Sequence, residues 1–130
     1  MLRAIRTGGV VLLLALANPA LADGHDISGK WISQDHKTVV ALAPCPGNGA
    51  TICATILEEQ RPAGERSRIG DQIGIGFALQ RDGSWAGKVV GANGMTLPAT
   101  LTLPRANQFD MRVCLLALIC DGASYYRAKP

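Results

Sequence analysis

Histidine is scarce: His25 and His36 are the only two, one in a polar N-terminal stretch and one in a turn. That leaves few candidates for general-base or metal-ligating work. Nucleophile motifs are missing as well. Gly83-Ser84-Trp85-Ala86-Gly87 carries its serine second of five instead of third, so it does not encode the strained turn of a nucleophile elbow. Gly70, Gly74 and Gly76 fit neither a dinucleotide fingerprint nor a phosphate loop. Glu58 and Glu59 are adjacent and would face opposite sides of a strand, which does not suit a paired-carboxylate site. The chain is therefore read as non-enzymatic, with no catalytic residue, cofactor or metal expected.

Excess charge is also lacking. The formal net charge is +3, and two of those positive charges, Arg3 and Arg6, lie in a segment with the marks of an export signal. Without them the chain is close to neutral, which removes the electrostatic argument for a nucleic-acid partner. In the signal, Arg3 and Arg6 precede the apolar run Gly9 to Ala17, and Ala20-Leu21-Ala22 supplies a small-residue cleavage site. The run is shorter than the roughly 20 apolar residues of a membrane span. Residues 1–22 are thus expected to be a cleaved signal peptide, and 23–130 a single domain with no membrane span, located in the periplasm or secreted.

What the chain does have is an even set of four cysteines, all in the exported part, which reads as a disulfide framework. Cys45 and Cys53 flank a Gly/Pro/Asn turn, and Cys114 and Cys120 flank a short apolar connection, so pairing within each set is preferred to the two crossed connectivities. Zinc is the competing use. Neither spacing is C-x-x-C, and no histidine lies beside a pair.

Period-2 alternation dominates the rest. A first strand begins near Ser28 and a second covers Thr38 to Ala43. The third runs from Thr51 to Leu57, and Ile73, Ile75, Phe77 and Leu79 mark one face of a fourth. Ser84 to Val90 is a fifth strand, Leu97 to Leu103 a sixth, Phe109 to Leu115 a seventh, and Leu118 to Arg127 the last. Short turns such as Asp82-Gly83 and Asn93-Gly94 join them. Pro98 cannot donate to a ladder and marks a bulge or an unpaired position. Only Glu58 to Ile69 is long; its Arg61, Arg66 and Arg68 are offset by Glu58, Glu59 and Glu65, and it reads as a mixed-charge, mobile surface loop. The expected fold is all-β: a small eight-stranded, antiparallel, up-and-down barrel. Closure would bring Arg127 over the Trp31 indole, with Gly29 beside them.

Gly29-x-Trp31, the Cys45 and Cys53 hairpin, Ile69-Gly70, Trp85-x-Gly87 and Tyr125-x-Arg127 together resemble a secreted bacterial family known only as domain of unknown function 2147. The chain departs from that pattern at Ala54, at Tyr125 in place of Trp, at Arg61-Pro62-Ala63-Gly64 and at Gly91-Ala92-Asn93-Gly94. The resemblance implies a lipocalin-like barrel with a ligand-holding lumen. Trp31, Ile73, Ile75, Phe77, Trp85, Leu101 and Met111 are the side chains expected to line it, around a small hydrophobic or lipid-like ligand. The alternative is an envelope interaction protein or inhibitor-like scaffold that acts through its loops.

Overall fold

A computed structural model describes residues 26–116 and 118–129. The segment read as a signal peptide, together with His25, lies outside the described residues. Eight antiparallel strands close into a barrel in sequential order. They are β1 (Gly29–Ser33), β2 (Thr38–Cys45), β3 (Asn48–Glu59), β4 (Gln72–Leu79), β5 (Trp85–Val90), β6 (Thr96–Arg105), β7 (Gln108–Leu115) and β8 (Ile119–Arg127). Up-and-down connectivity puts the β1–β2, β3–β4, β5–β6 and β7–β8 connections at one end, called the loop end below. The other turns, the start of β1 and the end of β8 share the opposite one.

The seam is short. Trp31 pairs with Arg127, Ile32 with Tyr126 and Ser33 with Tyr125, because β1 has only five residues. Side-chain chemistry reinforces it: the Arg127 guanidinium carbon sits 4.2 Å from the centre of the Trp31 ring, a contact worth about 0.5 to 2 kcal/mol. Both disulfides form as the turn-flanking pattern predicts, Cys45 with Cys53 and Cys114 with Cys120. The second pair is directly opposed across β7 and β8. The first spans an irregular stretch where the β2–β3 register shifts after Pro44.

Strand β6 follows its sequence pattern, with Ala99 and Leu101 buried and Thr102 exposed. Strand β4 does not. Its expected apolar face of Ile73, Ile75, Phe77 and Leu79 is broken, since Ile75 is 42% and Leu79 44% exposed while Phe77 is buried. Gly76, at φ +65°, lies in a register shift between Ile75 and Ala78. An inserted left-handed glycine bends the strand and resets which side chains face inward. Pro98 makes no bulge against β5, where it sits in register with Lys88. Instead the β6–β7 ladder begins only at Ala99, so the proline lies just past the end of that pairing.

Candidate functional site

The barrel is plugged at the end opposite the loops. Trp31 and Phe109 meet edge to face at 4.9 Å, and Phe109 stacks on Tyr125 at 4.8 Å, both favourable ring geometries. Ile27, just ahead of the first strand, is 1% exposed, and its carbonyl accepts a 3.0 Å hydrogen bond from the Trp31 indole nitrogen. An isolated isoleucine among polar residues just ahead of Gly29-x-Trp31 was the signal for that plug. Arg127 covers the outside. Its Nη1 donates to the Ser28 carbonyl at 2.9 Å, and its Nη2 donates to the Asp26 carbonyl at 3.1 Å and to that of Ala106 at 3.0 Å.

Above the plug lies an interior cavity of about 170 Å³. Ile73, Phe77, Leu101 and Met111 line it as expected. Val40, Leu42, Ala54, Gly74, Val89, Val90, Phe109 and Tyr125 complete the wall; the alternation of Val40 and Leu42 along β2 could have identified those two. Tyr125 is the one lining residue whose side chain bears a hydroxyl. Burial, and to a lesser degree the negative charge of Asp35, pushes that phenol above its ordinary pKa, so it stays protonated and neutral. Because Ile73 lies near the start of β4, and Val89 and Val90 close β5, the cavity extends towards the loop end.

Three expected lining residues are not there. Trp31 and Trp85 are buried, but as packed core outside the cavity wall. Ile75 points outward because of the Gly76 bulge. Two strand glycines make room for an aromatic ring. A Cβ on Gly87 would stand 2.8 Å from the Phe77 ring, and one on Gly74 would stand 2.8 Å from Ala54 Cβ and 3.1 Å from the same ring. The space left open by two glycines is therefore filled by Phe77, which covers the neighbouring strand as an aromatic covers a glycine in a designed sheet.

The long β3–β4 connection is stitched down. Arg61 Nε lies 3.0 Å from Glu59 Oε1, a charge contact without hydrogen-bond alignment, and Arg61 Nη1 donates to Glu65 at 2.7 Å. Arg66 pairs with Asp71, not with one of the glutamates. Arg68 Nη2 donates to the Val90 carbonyl at 2.8 Å, which ties the loop across the end of β5. Glu59 is held below the usual carboxylate range, first by the Arg68 backbone N–H and then by Arg61. His36 is exposed on the β1–β2 turn at φ +62°, away from the cavity wall.

The larger concavities are outside the barrel. Grooves of about 820 Å³ and 530 Å³ run along β8, because β1 ends at Ser33 and leaves the upper part of β8 without a partner there. They are open and mixed in lining, so they exclude water poorly; a further groove of about 270 Å³ beside Leu97, Leu115 and Ile119 is mainly apolar, and the lumen cavity is walled by apolar atoms. No group of three or more metal-ligating side chains is gathered among the described residues. No protein-family model matches the chain, and no curated protein or solved structure matches it significantly.

Proposed function

We propose that this is an exported barrel, of the kind its short motifs resemble, that holds one small apolar molecule in its lumen. The observation that carries the reading is the cavity of about 170 Å³ with a single polar side chain in its wall. An apolar cavity of about 150 Å³ in another protein stays dry and binds benzene or xenon. Drug-sized ligands occupy roughly 300 to 1,000 Å³, so the volume favours a compact ring or the end of an acyl chain over a whole lipid. Two disulfides agree with an oxidising compartment outside the cytoplasm.

Calorimetric titration of the folded protein with benzene and with indole tests this. One molecule per chain is expected, together with a negative heat-capacity change as apolar surface is buried. Val89→Phe, which fills the wall from β5, should abolish binding while the barrel stays folded. Failure of both probes to bind the wild-type protein would refute the reading.

A further inference from the structure

Towards the loop end, the inner face of the wall stays apolar beyond the lumen cavity. The β7–β8 ladder has no register shift, so residues two apart on either strand face the same way. Met111 lines the lumen cavity, and Val113 and Leu115 follow it on that face of β7. Their partners across the ladder, Asp121 and Ile119, share the face on β8. On β6, Leu97 is paired with the lumen residue Val89. These side chains line the groove of about 270 Å³, which is therefore a vestibule on the inner side of the barrel wall.

The vestibule continues the lumen. Met111 belongs to both walls. Tyr125 of the lumen and Ala123 of the vestibule are successive inward residues of β8. Because β1 ends at Ser33, opposite Tyr125, it does not cover this part of β8, and Leu115 and Ile119 remain 43% and 66% exposed. An apolar face that starts at a closed cavity and ends in water suits a chain longer than the cavity itself. Charge marks its outer end. Asp121 is the one charged residue of the vestibule lining, and the adjoining groove along β8 adds Asp35. Neither lining includes Lys, Arg or His among the described residues.

We propose that lumen and vestibule form one site for a single-chain amphiphile with a cationic head. The end of its alkyl chain fills the lumen, the adjoining methylenes lie along Leu97, Val113, Leu115 and Ile119, and the head sits beside Asp121. This inference rests on the lumen reading and extends it to a ligand class. Taken together the two volumes fall within the roughly 300 to 1,000 Å³ of small-molecule sites, which the lumen alone does not reach. From Phe109 at the plug to Leu115 is about 20 Å of strand, long enough for an extended chain. An ammonium head is attracted by the Asp121 carboxylate, whereas a carboxylate head is repelled.

Calorimetric titration of the folded protein with butylamine, decylamine and decanoate, below micelle-forming concentrations, tests it. One decylamine per chain is expected, bound about tenfold or more tighter than butylamine because further methylenes are buried, and tighter than decanoate. Leu115→Ser with Ile119→Ser, at two exposed positions, should weaken decylamine by about tenfold and leave benzene binding and circular dichroism unchanged. Asp121→Asn keeps the oxygen that accepts the Gly122 N–H and should abolish the preference for decylamine over decanoate. The proposal is overturned if decylamine binds no tighter than butylamine, if the double variant keeps full affinity for decylamine, or if decanoate binds wild type as tightly as decylamine does. Each of these results, obtained with benzene still binding, leaves the lumen reading in place; failure of benzene and decylamine together would refute both.

Discussion

Arg127 joins three carbonyls, those of Asp26, Ser28 and Ala106, while lying on an indole. Only a planar fork of donors can do both, because lysine offers a compact charge with no flat face to stack. Arg127→Lys should therefore lower stability by roughly 1 to 3 kcal/mol although it keeps the charge. Urea denaturation should show this as a reduced midpoint with unchanged slope; an unchanged midpoint would mean that the fork contributes nothing. Gly29 belongs to the same constellation for two reasons. Its φ is +130°, and a Cβ there would come within 3.0 Å of Arg127 Nη1. Both residues were readable in advance, since Gly-x-Trp at one end and an arginine at the other describe a contact of known chemistry. The role of Gly74 and Gly87 was not readable. A bare position shows that something comes close, but whether that is a ligand or Phe77 depends on the bulge at Gly76, which turns the Phe77 ring over Gly74 and the adjacent strand.

Among the elements, the β3–β4 connection carries contacts that its sequence did not specify. Mixed charge, a proline and a glycine described a surface loop, and its middle is exposed; the Glu59 carboxylate and Arg68 tie its two ends together and to β5. The folded-state pKa of Glu59 is depressed. Its stabilising effect should therefore be fully present above the unfolded value, about 4.3 for a glutamate, and be lost as pH falls through the lower folded value. Glu59→Gln should melt below wild type at neutral pH. That gap should close in acid, which melting curves across pH 2 to 7 would reveal; a gap independent of pH would show that the carboxylate charge plays no part. Strand β4 teaches a related lesson. Strict alternation holds only while every residue advances the pleat by one step, and Gly76 adds a step that no neighbouring residue announces.

For the molecule as a whole, closure brings the start of β1 and the end of β8 together at the end opposite the loops. Asp26 and Arg127 are hydrogen-bonded there. A circular permutant that joins the C-terminus to residue 26 through a short linker, and opens the Arg81-Asp82-Gly83 turn, should fold to the same barrel. Near-ultraviolet circular dichroism of the buried Trp31 would report it, and loss of the native tryptophan signal would count against closure as the organising contact. Closure also governs the cavity, because one wall collects side chains from β2 through β8.

Local rules set the strand count, the turns, the disulfide pairs and the Trp31–Arg127 contact, since each depends on residues close in sequence or on one specific chemical pair. Which side chains face the lumen, how much volume they leave, and the burial of Ile27 were decided by tertiary packing. A cavity is the difference between the space a closed sheet encloses and the volume of side chains from distant strands, and no window of sequence contains both quantities.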